Sequence, residues 1–208
     1  MMPEQKREAT DPLIVEPQEF LSRPFEKLEV GELAQPPDVE LLKYLPTLPD
    51  ETGLVYQKPR WFVIKASSLG VPSWIMPGKS DILLHSHPMS EPQWAKDKTI
   101  EFLDRLAIKD FGEWDNSLPS EFDFGNCSET AKNFLVSIKG ITQYWPIFSD
   151  NQRLDVGNIQ RRFGGKILRV KEYLSFLTEI GARYVVYPWK ELDDKKLETL
   201  FYCEIAPA

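Results

Sequence analysis

The chain contains little histidine and little cysteine, with two residues of each among 208. Cys127 and Cys203 can form neither a disulfide framework nor a four-cysteine zinc site, so we expect a reduced, cytoplasmic setting. The two cysteines also lie too far apart for the Pro-Cys-x-x-Cys pattern of zinc deaminases. Cys127 is interpreted as a small buried side chain rather than as a metal ligand.

Three further absences exclude classes of protein. No apolar run approaches the roughly 18 residues that a membrane-spanning helix needs, and the N-terminal segment lacks the apolar stretch of a secretory signal. The formal net charge of −7 gives no basic excess for binding nucleic acid. The hydrophobic content is 42%, with six Trp, seven Tyr and twelve Phe, and this is enough to fill a core. The length predicts one domain with an extension.

The distribution of proline and of apolar residues predicts an α+β protein. Nine of the 17 prolines fall within the first 60 residues, and residues 1–37 are expected to form an irregular N-terminal arm. Helices interleaved with hairpins predict one mostly antiparallel sheet. The predicted helices cover 39–45, 95–110, 168–180 and 193–200, and the predicted strands cover 54–56, 61–64, 82–84, 134–138, 141–145 and 183–187.

Both histidines lie in one tetrapeptide, His85-Ser86-His87-Pro88, directly after a predicted buried strand. Residues i and i+2 of a strand project to the same side, so the two imidazoles are expected to point together and could share a divalent metal. Any other ligands must be carboxylates or cysteines, because no histidine remains. This limit excludes cupin-type sites and polymerase-and-histidinol-phosphatase sites, which need more histidines. Two neighbouring surface histidines without a metal are the alternative.

A second motif, Pro119-Ser120-Glu121-Phe122-Asp123, lies downstream and precedes a predicted hairpin. By itself, Ser-x-x-Asp after a proline predicts the start of a helix with Ser120 as its N-cap. Residues 88–119, which are 32 in number, separate this motif from the histidine pair. The entropic cost of closing a loop grows only slowly with its length, so this motif can still lie next to the histidines in the folded protein.

The order of these motifs resembles the JAMM (MPN-type, JAB-domain) metalloprotease family. Its signature is a Glu, then His-Ser/Thr-His-Pro, then Ser-x-x-Asp, and its members include zinc isopeptidases that remove ubiquitin or ubiquitin-like proteins. The resemblance covers about residues 40–150. It implies a cytidine-deaminase-like α/β/α sandwich, with 38–150 as the metallopeptidase core and an insertion at about 89–118. Residues 151–208 would then be a C-terminal helix–strand extension that packs on the core.

The resemblance also implies a role for most of the motif residues. His85, His87 and Asp123 would hold a zinc ion with water as the fourth ligand, and Ser120 would donate a hydrogen bond to the developing oxyanion. Such a set keeps the open position that a catalytic zinc site requires. Asp97, one residue short of the family's usual spacing, is the alternative third ligand, but the Ser of the pattern is missing there.

Glu51 is interpreted as the catalytic acid and base. It opens Glu51-Thr52-Gly53-Leu54, which is similar to the family's glutamate region, although the family more often has one more residue between Glu and Gly. Its carboxylate would take a proton from the water and pass it to the leaving amine. The alternative is that Glu51 is a solvated turn residue. The candidates for the catalytic base would then be Glu40 and Glu32.

The sequence therefore predicts a zinc-dependent peptidase or isopeptidase that acts on a protein or peptide, with ubiquitin-like proteins as the substrates that the resemblance implies. Neither nucleic acid nor a membrane is expected as a partner. Two other hypotheses stay open. The chain could be a catalytically silent relative that uses the fold for binding, or a hydrolase of a small amide, which would need a closed pocket rather than an extended groove.

Overall fold

The computed structural model describes residues 12–25, 28–65, 79–88, 117–164 and 170–203. The strands are β1 (Ile14–Val15), β2 (Glu29–Leu33), β3 (Thr52–Gln57), β4 (Arg60–Lys65), β5 (Ile82–Ser86), β6 (Lys132–Ser137), β7 (Gly140–Tyr144), β8 (Phe148–Ser149), β9 (Gln152–Arg153) and β10 (Tyr184–Pro188). The helices are α1 (Pro17–Ser22), α2 (Val39–Tyr44), α3 (Glu121–Asn126), α4 (Val156–Phe163), α5 (Val170–Glu179) and α6 (Asp194–Tyr202), with short 3-10 turns at Leu45–Thr47 and Trp189–Glu191.

Eight of these strands form one sheet in the order β1-β2-β4-β3-β5-β6-β7-β10, and β8 pairs with β9 in a separate hairpin. The β1–β2 and β5–β6 pairs are parallel, and the other pairs in the sheet are antiparallel. A mixed α/β protein with a large, mostly antiparallel central sheet flanked by helices is thus confirmed. None of the helices in the described ranges is both long and apolar enough to cross a membrane.

One face of the sheet is closed by α1, α2 and α6. Side chains of the helices and of alternate strand positions form a single apolar cluster there, which includes Leu42 from α2, Phe201 from α6 and Leu54, Phe134 and Val136 from the strands. All five are at most 3% exposed. Burial of such apolar surface is the main contribution of this face to folding.

The opposite face carries two separate apolar clusters. The larger one joins α3, α4 and α5 to the sheet, and the smaller one covers Val55, Phe62 and Ile64 on β3 and β4. His85 lies between them, because β5 pairs it with Gly53 on one side and with Leu135 on the other. This gap between the two clusters is where the polar motifs meet.

Basic side chains satisfy carbonyl groups at the ends of three helices, where intrahelical donors are lacking. Lys65 on β4 donates to two carbonyls at the end of α1, and Lys132 on β6 donates to carbonyls at the end of α6. Arg153 on β9 donates to the carbonyls of Gly125 and Cys127 at the end of α3. The short helices are therefore tied to the sheet and to the β8–β9 hairpin.

Two segments differ from the prediction. Residues 29–33 belong to the central sheet as β2, rather than to an irregular arm, because they pair with β4 along their whole length. Residues 156–163 form α4, a helix that is not among those predicted from the sequence. Asp155 caps this helix and Ile159 is its buried residue, so the apolar pattern that signals a helix is short and weak.

The β6–β7 turn also differs in detail. The predicted hairpin is present, but the turn lies at residues 138–139, and Gly140 is the first residue of β7 with φ 154°. A Cβ at Gly140 would lie 2.1 Å from the carbonyl oxygen of Tyr187 on β10, so close strand approach is what requires glycine there. The predicted helix at 95–110 and most of the predicted insertion at about 89–118 lie outside the described residues.

Candidate metal centre

The histidine pair lies at the end of β5, in the middle of the sheet. Pairing of β5 with β3 and with β6 fixes its backbone on both sides, and the amide of His87 donates to the carbonyl of Val136 at 2.8 Å. The two Nε2 atoms of His85 and His87 are 3.3 Å apart. The expectation that both imidazoles point the same way is confirmed.

Asp123 reaches this pair from the first turn of α3. Ser120 is the N-cap, and the two residues form a capping box in which each side chain bonds to the other's backbone amide. The Oδ1 atom of Asp123 lies 3.0 Å from Nε2 of His85, and the Oδ2 atom lies 3.4 Å from Nε2 of His87. The capping box that begins the helix therefore also sets the direction of the carboxylate.

These three side chains are close enough to hold a metal ion. One ligand atom from each residue lies within 4.8 Å of the other two. The Nε2–Nε2 distance of 3.3 Å can be compared directly with a tetrahedral zinc site, whereas the 3.0 and 3.4 Å distances run to different oxygens of Asp123. Ligands at about 2.0–2.1 Å from zinc lie roughly 3.3 Å from one another in that geometry. Each side chain is 13–16% exposed, so a solvent molecule can reach the centre.

The electrostatics of the cluster favour a cation. Burial alone lowers the pKa of His85, but the charge of Asp123 and its hydrogen bond outweigh this and raise the pKa above 6.5. Burial alone raises the pKa of Asp123, yet His85 and His87 together hold the pKa well below its ordinary value. The carboxylate of Asp123 thus favours positive charge at the imidazole of His85.

Glu51 precedes β3 and lies near the same end of the sheet. Since Gly53 pairs with His85 in the β3–β5 ladder, Glu51 is two residues from the partner of a candidate ligand. Its charge contributes to the raised pKa of His85. The neighbouring acid Asp50 acts instead on Lys65, whose pKa is lowered mainly by burial. Of the two adjacent acids, Glu51 is therefore the one whose charge acts on His85.

Ser120 contacts the centre through Asp123. Its hydroxyl donates to Oδ2 of Asp123 at 2.9 Å, and its backbone amide donates to the same oxygen at 2.6 Å. The amide of Asp123 donates back to Oγ of Ser120 at 3.2 Å. The helix-start interpretation of Ser120 is confirmed by this geometry, and the hydroxyl proton is directed at the carboxylate.

The other two candidates for the catalytic base, Glu40 and Glu32, lie on other elements of the fold. Glu40 is on α2 and forms an ion pair with Lys43 at 3.0 Å, and Glu32 is on β2 and pairs with Arg60 at 3.3 Å. Asp97 lies outside the described residues.

Cys127 is not part of the ligand group. It is buried and donates its thiol hydrogen to the carbonyl of Phe124 at 3.2 Å. Burial raises the pKa of this thiol to about 12, which disfavours the thiolate that metal binding needs.

Two residues at the centre were not predicted to be there. Tyr144 lies within the predicted strand 141–145, and its buried ring stands edge-on to His85, with centroids 6.4 Å apart. Ser86, which is fully buried between the two histidines, accepts a hydrogen bond from the amide of Thr52 at 3.0 Å. This bond ties the backbone next to Glu51 to the histidine strand. In the sequence, the serine at the middle position of His85-Ser86-His87 is the feature that could have indicated this hydrogen bond.

No protein-family model matches the chain, and neither a curated protein nor a solved structure matches it.

Proposed function

We propose that the chain is a zinc-dependent peptidase or isopeptidase of JAMM type, with the cytidine-deaminase-like arrangement of that family. The observation that supports this proposal is the convergence of His85, His87 and Asp123, whose ligand atoms lie close enough together to hold one metal ion, with the two imidazole nitrogens at a spacing that suits tetrahedral zinc. Two imidazoles and one carboxylate leave one position for water, which distinguishes catalytic from structural zinc sites. The order of the motifs along the chain supports the same assignment.

The proposed chemistry is hydrolysis of an amide bond. Zinc held by these three ligands would lower the pKa of a water toward about 7 and polarise the substrate carbonyl. Glu51 is the general base that takes the proton of the attacking water and then gives it to the leaving amine. Asp123 and the histidines supply the ligands, and the hydroxyl of Ser120 donates to the developing oxyanion once it turns from Asp123.

Substitution of Glu51 tests the proposal directly. Zinc-loaded protein is assayed against a panel of peptides and linked ubiquitin-like proteins, and Glu51→Gln is expected to retain its zinc while hydrolysis falls about 10²–10⁴-fold. Glu40→Gln is the matched control, because that carboxylate is exposed on α2 and pairs with Lys43. Full hydrolysis by Glu51→Gln would remove this residue from the mechanism.

A metal-binding protein without hydrolytic activity is the second candidate. The observation that favours it is the engagement of the Ser120 hydroxyl with Asp123, which directs the proton of the predicted oxyanion donor at a ligand instead. The same panel separates the two candidates. Zinc at one ion per chain without cleavage of any substrate in the panel supports the binding role.

A further inference from the structure

A polar cavity lies between the β8–β9 hairpin and α4, and it shares no residue with the metal centre. Its volume is about 330 Å³. It is lined by Ser149, Asp150, Gln152, Arg153, Leu154, Asn158, Arg161 and Arg162. Three of these eight residues are arginines, although the whole chain has a net charge of −7.

Among the described residues, two of the arginines donate to neutral groups. The guanidinium of Arg161 donates to Oδ1 of Asn158, and that of Arg162 donates to Oγ of Ser149 at 2.6 Å. Neither forms an ion pair with a carboxylate in the described part of the chain. Asp150 is the acidic lining residue, and its carboxylate lies against the hydroxyl of Ser149. The three arginines thus outnumber Asp150 and the Glu129 partner of Arg153, which leaves one positive charge in excess at the wall of the cavity.

Arg153 adds a donor to the same wall. Its guanidinium pairs with Glu129 at 3.1 Å and donates to carbonyls at the end of α3. Its Nε atom is buried and has no partner within the described part of the chain. Buried donors in native proteins are nearly always satisfied. Arg153 thus keeps one unused donor, which a ligand in the cavity would reach only if the guanidinium shifted.

Stabilisation of the end of α4 does not account for the direction of these arginines. Basic residues in the last turn of a helix interact favourably with its dipole. The C-terminal carbonyls of α4, however, receive the amide of Gly164, which bonds to Gln160 and Arg161. Both guanidinium groups are turned away from that end, toward the hairpin and the preceding turn.

We propose that this cavity binds the phosphate group of a small phosphorylated molecule. Guanidinium groups offer paired donors that match the oxygens of phosphate, and such charge-assisted hydrogen bonds are about twice as strong as neutral ones. The neutral partners of Arg161 and Arg162 are weak competitors for these donors. A volume of about 330 Å³ is at the small end of ligand sites, which commonly measure about 300–1,000 Å³.

Calorimetric titration of the full chain tests the proposal, with inorganic phosphate and glycerol phosphate as probes at constant ionic strength. We expect saturable binding of one phosphate per chain. Arg161→Gln and Arg162→Gln should each weaken it about 10-fold. Asp150→Asn should strengthen it, because it removes the opposing charge, and asparagine tolerates the φ of 52° at this position. Tighter binding of the ester than of inorganic phosphate identifies a metabolite rather than the free ion as the ligand.

Two controls make the result specific. Lys195→Gln removes the same charge from α6 and should leave the affinity unchanged, and His87→Ala should also leave it unchanged because the metal centre takes no part. Absence of saturable binding at tens of millimolar phosphate would overturn the proposal. An equal loss of affinity in Lys195→Gln would also overturn it, since non-specific attraction would then explain the binding.

Discussion

The two faces of the central sheet differ in what they bury. The face covered by α1, α2 and α6 is one continuous apolar cluster, whereas the opposite face has two clusters with His85, His87 and Asp123 at the gap between them. Desolvating these polar groups opposes folding unless they are paired. The second face therefore gives up continuous apolar packing at the place where the candidate ligands meet, whereas the first face does not.

Adjacent residues on β6 offer the sharpest test of this difference. Phe134 faces the first cluster, Leu135 contacts the second beside His85, and both are fully buried. Phe134→Ala should lower the free energy of unfolding by about 3–5 kcal/mol, and Leu135→Ala by about 2–5 kcal/mol. Only Leu135→Ala should also weaken zinc binding by the folded protein, as measured by competition with a chelating dye. Equal effects of both variants on zinc affinity would mean that the faces are not functionally distinct.

Removal of the Ser120 hydroxyl tests whether the capping box serves the centre as well as the helix. Ser120→Ala loses the cap of α3, so the free energy of unfolding should fall by about 0.5–2 kcal/mol. The carboxylate of Asp123 also loses a hydrogen bond, and zinc affinity should fall about 10-fold. Ser120→Thr keeps a hydroxyl and serves as the control. If Ser120→Ala loses stability but binds zinc as before, the box is structural only.

The pH dependence of stability gives a smaller effect with a defined sign. A histidine with a raised pKa, such as His85, contributes stability below pH 6.5 that is lost as the pH rises through its folded-state value. Asp123, whose pKa is lowered, contributes above its ordinary pKa of 3.8, and this is lost as the pH falls through its folded-state value. Zinc binds neutral imidazoles, so the stabilisation of the fold by zinc should increase as the pH rises above 6.5.

Thermal melts from pH 5 to 8.5, with zinc or with a chelator, check these signs. The Tm difference between the two conditions should widen as the pH rises past 6.5, because the metal-free protein loses its ion pair while zinc binds more tightly. In Asp123→Asn, the ion pair is absent, so the Tm of the chelated protein should no longer fall as the pH rises past 6.5. Parallel curves for the zinc-bound and metal-free protein would contradict the assignment of these groups as ligands.

Local patterns predicted the parts of the site better than their assembly. The apolar run before His85 predicted a strand, and Ser-x-x-Asp predicted the cap formed by Ser120, because both signals are short-range. That Asp123 would meet the histidines was implied by family resemblance alone, since the meeting depends on how α3 packs. The contact of Tyr144 with His85 and the hydrogen bond from Arg153 to the end of α3 are tertiary contacts. The spacing of residues in the sequence does not predict them.

Metal content tests the central claim most directly. Elemental analysis of the purified protein should find about one zinc per chain, and His87→Ala, with an unchanged fold by circular dichroism, should retain almost none. Zinc affinity should fall at least about 100-fold in that variant, because two of the three protein ligands cannot complete the site. Wild-type protein that holds no zinc after reconstitution, or a His87→Ala variant that holds as much, would contradict the account.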